Sequence, residues 1–206
     1  MSIYDIGWLF KFMDPENQPD KIKAYIEAEE KFLLSKIELN SSLVDFGCGI
    51  GRHLDLLGAR LRYGLGVDIV HNYIAHAKRI LMDKSEIEFQ VGDIRNCPLE
   101  RVFDYVICMH NTIGNIREKN VVLNQMKKAA NKSGEILIGV YSEDSIESRI
   151  EWYERAGLCV IDVTQESIRT NLGFQSDHFS KERIIGLFKR CDVEKISEIG
   201  YIISIT

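Results

Sequence analysis

The chain has 206 residues, of which 45% are hydrophobic and 28% charged, and its formal net charge is −5. The composition is that of a globular protein with enough apolar surface for a core, and the length predicts one domain over residues 1–206. The acidic balance and the absence of a basic tract argue against a nucleic-acid partner. No apolar run approaches the ~20 residues that span a bilayer, so we expect no membrane partner.

The first forty residues are predicted to be helical. Apolar residues recur at helical spacing from Ile22 to Ile37, among charged residues. Before them, aromatic and apolar residues are dense between Tyr4 and Phe12. We predict a helical cap over residues 1–40, which packs on the edge of the domain or closes over a ligand.

Residues 43–52 read LVDFGCGIGR and combine an apolar run, an acid and three glycines at alternate positions. A strand that ends near Asp45 would be followed by a glycine-rich turn with almost no side-chain bulk and then by the start of a helix. A nucleotide-like ligand could lie against this backbone and face the N-terminus of the helix. A dinucleotide fingerprint needs glycine where this chain has Arg52, and Asp45 would repel a diphosphate but attract an ammonium group. The pattern therefore disfavours a nicotinamide-dependent dehydrogenase.

This segment resembles the first motif of the class I S-adenosylmethionine-dependent methyltransferases, which reads acid-x-Gly-x-Gly-x-Gly. S-adenosylmethionine carries an ammonium and a sulfonium but no phosphate, which agrees with the acid. A plain strand–turn–helix corner is the alternative. The resemblance implies S-adenosylmethionine as cofactor and S-adenosylhomocysteine as product. It also implies cofactor contacts from Asp45, Gly47, Cys48, Gly49 and Gly51.

Two further apolar segments end in acidic residues, Asp68 and Asp93, and Asp68 follows Gly49 by 19 positions. A carboxylate at the end of a second strand can accept hydrogen bonds from a ribose diol. The resemblance implies that Asp93 accepts from the adenine amino group while the backbone of Ile94 meets a ring nitrogen, and Ile69 joins the cofactor set. Each acid alone is equally typical of a turn or helix cap.

Strands and helices alternate through the middle of the chain. The predicted strands are 43–46, 63–67, 87–91, 103–108 and 135–141. The predicted helices between and beside them are 51–60, 72–83 and 119–131. Such alternation predicts a parallel sheet with ligands at the carboxyl ends of its strands. With a terminal hairpin at 193–197 and 200–206, the fold class is α/β: a Rossmann-like, doubly wound, seven-stranded, mostly parallel sheet with an antiparallel C-terminal hairpin.

The residues after the fourth strand carry the first candidates for chemistry. In the family this stretch faces the acceptor, and residues 111–115 here resemble the Asn-Thr-x-Gly-Asn of small-molecule methyltransferases. They depart from the Asn/Asp-Pro-Pro-Tyr motif of enzymes that methylate nucleobase amines or protein glutamine. His110 has a titration range suited to a base and is assigned to both the catalytic and the cofactor sets. Asn111 is a second catalytic candidate, with turn formation as its alternative.

Residues 143–178 are predicted to be a small insertion after the fifth strand, with a helix over 144–157 and strands over 158–164 and 166–172. A turn-rich stretch, 173–180, precedes a helix over 181–190 capped by Ser180. His178 is the third catalytic candidate, with Asp177 as a possible orienting partner. The other groups predicted to shape an acceptor pocket, or to be plain core, are Tyr141, Arg149, Trp152, Tyr153 and Arg169.

Methyl transfer from a sulfonium needs alignment and exclusion of water more than conspicuous catalytic residues. Because one compact insertion suits a metabolite, we predict an N- or O-methyltransferase acting on a small-molecule acceptor. An RNA or protein methyltransferase, or a catalytically silent S-adenosylmethionine-binding partner protein, is the alternative. The Tyr4–Asp5 pair resembles the Tyr-Asp pair in the N-terminal lid of many small-molecule methyltransferases. The sequence does not identify the acceptor or the atom that is methylated.

The five cysteines have no CxxC or other metal-binding spacing. They are typical of reduced thiols in a cytoplasmic protein, and the N-terminus lacks the pattern of a signal peptide. We therefore predict a cytoplasmic protein without a metal site, and either a monomer or a homodimer.

Overall fold

A computed structural model describes residues 8–206, with side chains from residue 10 onward. The Tyr4–Asp5 pair lies outside the described residues. The strands are β1 (Ser41–Phe46), β2 (Leu61–Asp68), β3 (Ile87–Val91), β4 (Phe103–Cys108), β5 (Ala130–Tyr141), β6 (Val160–Val163), β7 (Ser167–Thr170), β8 (Gln175–Asp177), β9 (Asp192–Ser197) and β10 (Gly200–Ile205). The helices are α1 (Trp8–Met13), α2 (Asp20–Lys36), α3 (Arg52–Leu57), α4 (His71–Ile80), α5 (Lys119–Ala129), α6 (Ile146–Arg155) and α7 (Lys181–Phe188).

Seven strands form one sheet in the order β3-β2-β1-β4-β5-β10-β9. The first five in this order pair in parallel, whereas β10 pairs antiparallel with both β5 and β9. Chain order reverses at β1, which lies between β2 and β4. The predicted fold class, with its antiparallel C-terminal hairpin, is confirmed, and ligands of such sheets bind at the carboxyl edge beside this reversal.

The continuous apolar run in β1 follows from its central position, since all six of its residues are buried. Successive side chains point to opposite faces of the sheet. Val44 and Phe46 therefore pack in the core beneath α5 and α7, and Leu43 packs in the core that holds residues of α2, α3 and α4. Helices on both faces leave the carboxyl edge of the sheet as the open side.

The insertion begins with α6, and the strands that follow it in the chain form a separate three-stranded antiparallel sheet in the order β6-β7-β8. The helix and the two predicted strands are confirmed, but the prediction of turns over residues 173–180 was wrong for β8. Ser176 pairs with Ile168 in the ladder, and its side chain bonds to Asn111 and Asn115. β8 is short and polar, and the Ser176 hydroxyl bonds to residues far away in the chain. Its sequence therefore lacks the alternation of apolar and polar residues that predicts a strand.

Smaller differences occur at element boundaries. The predicted helix 119–131 ends at Ala129, because Ala130 already pairs with Phe103 as the start of β5. The helix expected over 72–83 ends at Ile80. Ser180 caps α7 as predicted, since its hydroxyl accepts from the backbone N–H of Arg183 at 3.2 Å. Within residues 8–206, no helix is both long and apolar enough to cross a bilayer.

Candidate functional site

A cavity of about 140 Å³ lies at the carboxyl edge of the sheet, next to the point where chain order reverses. One wall is the glycine-rich loop after β1, including Gly47, Cys48 and Gly49. Gly47 has a φ of +79°, and a Cβ there would lie 2.3 Å from Thr112 Cγ2. Only glycine fits this backbone and this close approach. The Gly47 and Cys48 N–H groups donate to the Val67 carbonyl and the Gly49 N–H donates to Asp68, so the loop offers a ligand a surface of low bulk and not free donors.

The opposite wall of the cavity is aromatic and comes from segments far apart in the chain. Phe12 of α1 contacts Trp152 and Tyr153 of α6 edge-on, at ring distances of 5.1 and 5.6 Å. Tyr141, at the end of β5, and Phe174, before β8, complete this wall. Such a surface suits a small, partly apolar ligand more than an extended polymer.

The three predicted cofactor acids lie on neighbouring strands of the same edge. The register pairs Asp45 with Gly66 and Asp68 with Val91, and Asp93 follows β3 by two residues. The sheet therefore brings together what the sequence has 48 residues apart. None of the three lines the cavity itself within residues 8–206, but Asp45 contacts His53 and Asp68 contacts Gly49, and both of these residues line it.

Asp45 is fully buried beneath the glycine-rich loop. Its Oδ2 lies 3.2 Å from His53 Nδ1, and its Oδ1 has no hydrogen-bond partner among the described residues. A buried carboxylate oxygen without a partner is unfavourable and is a ready acceptor for a ligand N–H. His53 in turn lines the cavity.

Asp68 accepts the backbone N–H of Gly49 on Oδ2 and that of Val70 on Oδ1, both at 2.9 Å. These bonds tie the glycine-rich loop to β2 and leave further lone pairs on both oxygens. Burial raises the pKa of Asp68, against the lowering effect of the two N–H donors. The neighbouring Ile69 side chain is exposed at the same edge.

Asp93 is the most solvent-facing of the three acids. Its carboxylate accepts from Arg95 Nε at 3.0 Å and Nη2 at 2.6 Å, and these hydrogen bonds lower the pKa of Asp93. Arg95 also bonds to Glu118. Ile94 is buried in the core. The assigned adenine contacts of Asp93 and Ile94 stay predictions.

The turn after β4 has strained backbone. His110 and Asn111 have φ values of +52° and +60°, a region that residues other than glycine seldom adopt. Strain of this kind persists only where surrounding contacts fix it, and it is concentrated at functional sites. Both residues line the cavity.

The Asn111 side chain is buried, and its bonds account for the turn. Its Nδ2 donates to Ser176 Oγ and to the Asp177 carbonyl, and its Oδ1 accepts from the Tyr141 backbone. Both amide protons are thus committed to protein groups, which is the arrangement of a residue that positions others. A catalytic role for Asn111 stays a prediction.

His178 and Asp177 are buried outside the cavity, among the residues that the structure describes. The cavity-lining residues within 8–206 do not include His178, whose ring is buried, and burial lowers its pKa. The Asp177 carboxylate pairs with Lys119 at 2.7 Å and Arg183 at 2.9 Å, so no orienting contact to His178 is formed by it. The catalytic assignment of His178 stays a prediction that the geometry does not support.

The remaining candidates from the insertion separate into two groups. Trp152 and Tyr153 line the cavity. Arg149 is fully buried and donates hydrogen bonds to Tyr153 Oη and to the Ser176 carbonyl, which hold Tyr153 in place. Arg169 instead pairs with Asp162 on the exposed side of the β6–β7 hairpin.

The sequence reasoning missed Glu29, a fully buried carboxylate on α2 beside the cavity. Its Oε2 lies 3.3 Å from Arg52 Nη2 and 3.4 Å from His53 Nε2. Burial alone would raise the pKa of Glu29, but His53, His110 and Arg52 outweigh it and lower the pKa to about 2. The available signal was spacing: Glu29 falls on the same helical face as Ile22, Tyr25 and Leu33.

His110 is the residue of the turn that faces this carboxylate. Burial lowers the pKa of its imidazole to about 3, with Arg52, His53 and Arg149 acting in the same direction and Glu29 against them. The ring is therefore neutral at physiological pH. Tyr141 Oη lies 3.4 Å from its Nε2.

Comparisons with known proteins agree with this geometry. Residues 43–134 match a family model described as a methyltransferase domain. The dTDP-3-amino-3,4,6-trideoxy-alpha-D-glucopyranose N,N-dimethyltransferase of Streptomyces venezuelae is 30% identical over 116 residues, which are 56% of this chain and 45% of that enzyme. The match thus spans less than half the length of that relative.

Two solved structures extend the likeness over most of the chain. An S-adenosylmethionine-dependent methyltransferase from Clostridium acetobutylicum superposes with a TM-score of 0.67 at 13% identity, covering 98% of each chain. The 1,6-didemethyltoxoflavin-N1-methyltransferase of Burkholderia thailandensis, solved with its substrate and S-adenosylhomocysteine, gives a TM-score of 0.67 at 14% identity, covering 90% of this chain and 78% of that one. At these identities the likeness establishes the fold.

Proposed function

We propose that the chain is a class I methyltransferase that transfers a methyl group from S-adenosylmethionine to a nitrogen or oxygen atom of a small metabolite; the match of residues 43–134 to a methyltransferase-domain model supports this proposal. S-adenosylhomocysteine is the second product. The bound cofactor supplies a methyl group on a sulfonium, which is an excellent leaving group. The protein's task is then to align the acceptor and exclude water.

The residues present suit the cofactor at three points. The glycine-rich loop offers a cradle that a Cβ at Gly47 would fill, and Asp45 Oδ1 is a buried acceptor without a partner within residues 8–206. An ammonium group matches such an acceptor in charge and in hydrogen bonding. Asp68, which already holds the loop through Gly49, retains lone pairs for a ribose diol.

The observation that carries the proposal is the continuity of one cavity between the glycine-rich loop and the aromatic wall. Gly47 and Gly49 lie on one side, and Tyr141, Trp152 and Phe174 on the other. A methyl donor held on the loop would therefore point its reactive end toward a confined aromatic space. The small size and the aromatic lining of that space support a small acceptor.

A nitrogen acceptor is favoured over oxygen by two independent facts. The Streptomyces venezuelae relative is named as an N,N-dimethyltransferase of an amino sugar. Of the two imidazoles that line the cavity, His53 pairs with Asp45, and His110, beside the aromatic wall, is held neutral with a pKa of about 3 and is a weak base. A neutral amine needs no deprotonation before it attacks, whereas a hydroxyl acceptor benefits from a base.

Binding and turnover test the proposal together. Calorimetry with S-adenosylhomocysteine should give a dissociation constant below about 100 μM. A coupled assay for S-adenosylhomocysteine release, run against amino sugars, amino acids and small phenols, should then identify a methylated metabolite. Failure to bind S-adenosylhomocysteine would contradict the assignment.

The two alternatives give different outcomes in the same experiments. Binding without turnover over the whole panel would favour a catalytically silent binding protein. Turnover only with RNA, with an affinity that falls steeply with salt, would favour an RNA methyltransferase. Transfer to a protein side chain alone would favour the protein-directed alternative. The cytoplasmic location and a monomeric or homodimeric state stay part of the proposal.

A further inference from the structure

A buried carboxylate on the N-terminal helix contacts the turn that faces the proposed acceptor. Glu29 is 0% exposed, although α2 otherwise alternates between buried apolar and exposed charged residues. It reaches the sheet across Gly139 of β5, where a Cβ would lie 2.2 Å from Glu29 Oε1. Glycine at 139 is therefore required for this helix to bring a carboxylate to the site.

The first oxygen of Glu29 holds backbone. Oε1 accepts the His110 backbone N–H at 2.8 Å and the Tyr25 hydroxyl at 2.9 Å. His110 is one of the two residues of this turn, His110 and Asn111, that have a positive φ. A charged acceptor forms stronger hydrogen bonds than a neutral one, and this bond offsets part of the cost of the strained turn.

The second oxygen of Glu29 faces side chains. Arg52 Nη2 and His53 Nε2 are near it, and His110 Nδ1 lies 3.9 Å away. This Nδ1 is buried and has no hydrogen-bond partner in the part of the chain that the structure describes. A carboxylate at this distance favours the tautomer with the proton on Nδ1, and such contacts commonly shorten when a ligand binds.

The other nitrogen of His110 faces Tyr141. With the proton on Nδ1, Nε2 carries a lone pair, and the nearest group to it is the Tyr141 hydroxyl at 3.4 Å. That bond is long, and both groups line the cavity. Because Nε2 has only one lone pair, a ligand N–H that enters beside them donates to Nε2 in place of the Tyr141 hydroxyl.

We propose that Glu29 is a positioning residue: it fixes the turn at His110 and selects the Nδ1-protonated tautomer, so that Nε2 accepts a hydrogen bond from the N–H of a neutral amine acceptor. This proposal rests on the proposed function and assigns its substrate class, a primary or secondary amine. The bond to Nε2 turns the nitrogen lone pair toward the methyl donor, which is orientation and not base catalysis.

The transfer balances without a base in the cavity. The amine lone pair forms the new N–CH3 bond while the S–CH3 bond breaks and its electron pair returns to sulfur. The methylated nitrogen becomes an ammonium, which loses its extra proton to water after release. The His110 ring stays neutral throughout, in agreement with the burial and cationic neighbours that disfavour its protonation.

The substitution Glu29→Gln separates the two roles of the carboxylate. Its carbonyl can still accept from the His110 backbone and from Tyr25, which directs its NH2 group toward His110 Nδ1. An amide N–H donor there favours a lone pair on Nδ1 and the proton on Nε2. The turn is kept and the tautomer is inverted, so Nε2 no longer accepts from an amine. The control is Glu27→Gln, an exposed acid on the same helix.

The first arm of the test is nitrogen NMR of protein labelled with 15N-histidine. The His110 signals are assigned by their loss in His110→Gln. We expect the Nδ1-protonated tautomer in the wild-type chain and in Glu27→Gln, and the Nε2-protonated tautomer in Glu29→Gln. An Nε2 proton in the wild-type chain, or no difference between the two glutamine variants, would overturn the proposal.

The second arm is kinetic and uses an amine that the wild-type chain methylates. We expect kcat of Glu29→Gln to fall about 10- to 100-fold while S-adenosylhomocysteine affinity changes by less than about threefold. Equal kcat values for wild type and Glu29→Gln, or turnover with hydroxyl acceptors alone, would refute the assignment. If the wild-type chain binds no S-adenosylhomocysteine, the proposed function fails, and the tautomer measured in the first arm still decides the role of Glu29.

Discussion

The two sides of the cavity are built in different ways. The cofactor side consists mainly of backbone within one short segment, with Gly47 and Gly49 beside Asp45. The proposed acceptor side consists of side chains from α1, β5 and the insertion, with Glu29 of α2 next to them, and these segments meet only after folding. A backbone cradle tolerates almost no substitution at a few positions, whereas a side-chain wall can change residue by residue. On the proposed function, this division keeps one cofactor geometry and lets acceptor choice vary.

The largest loss of cofactor affinity is expected for the substitution Gly47→Ala. An alanine at 47 would need a left-handed φ and would overlap the Thr112 methyl. We expect S-adenosylhomocysteine affinity to fall at least about 100-fold by calorimetry. Gly186→Ala is the matched control, because a Cβ at that exposed helical position meets nothing within 4 Å. An unchanged affinity in Gly47→Ala would mean that the cofactor does not use this loop.

The next largest effect concerns stability against acid. The unfolded chain protonates Glu29 near pH 4.5, whereas the folded chain does so only at a pKa of about 2. The stabilisation from Glu29 is therefore present above pH 4.5 and is lost as the pH falls toward 2. We expect the free energy of unfolding of Glu29→Gln at pH 7 to be about 2–3 kcal/mol lower than that of the wild-type chain. This difference should disappear as the pH falls from 4.5 to 2.

Urea unfolding of wild type, Glu29→Gln and Glu27→Gln at several pH values measures the effect. Stability curves of wild type and Glu29→Gln that stay parallel down to pH 2.5 would show that the carboxylate is not held by the contacts described. Glu27→Gln should follow the wild-type curve, because Glu27 is exposed.

A smaller effect is expected on the acceptor side. Phe174→Ala removes a ring that packs on Phe12 and Tyr153 and lines the cavity. We expect the acceptor KM to rise about tenfold while S-adenosylhomocysteine affinity stays within about twofold, since the aromatic wall is not part of the cradle. Leu172→Ala, an exposed neighbour outside this cavity, is the control. A parallel loss of cofactor affinity would contradict the division into two sides.

The smallest effect should come from Arg169→Ala. The Arg169 guanidinium pairs with Asp162 at the exposed surface of the hairpin, and ion pairs of this kind contribute little. We expect the free energy of unfolding to change by less than about 0.5 kcal/mol and the acceptor KM to stay constant. A raised KM would bring this part of the insertion into the acceptor site.

The residues of the proposed cofactor side follow local sequence patterns, whereas those of the proposed acceptor side do not, for a physical reason. A glycine motif and an acid at each of three strand ends are local patterns, and the sheet brings them to one edge whatever the rest of the chain does. The place of Asp45, Asp68 and Gly47 at one edge of the sheet could therefore be predicted from spacing alone, and their cofactor contacts stay predictions. Their geometry is set by β1 and β2, which the apolar runs also predicted.

Glu29 and β8 could not be predicted in the same way. Glu29 is buried because its partners include the His110 backbone, 81 positions away. A charged residue in a helix is assigned to solvent unless such a partner is known. Ser176 of β8 likewise gains its place through Asn111 and Asn115, more than 60 positions earlier. His178 illustrates the converse, because a reactive residue type in a loop became part of the buried interior.

A crystal structure of the chain with S-adenosylhomocysteine tests the central claim most directly. The account predicts the amino-acid tail on the loop from Gly47 to Gly49, its ammonium directed at Asp45 Oδ1, and the ribose at Asp68. The sulfur should face the space between His110 and the aromatic wall. A ligand bound elsewhere, or a sulfur turned away from His110 and Tyr141, would contradict the account.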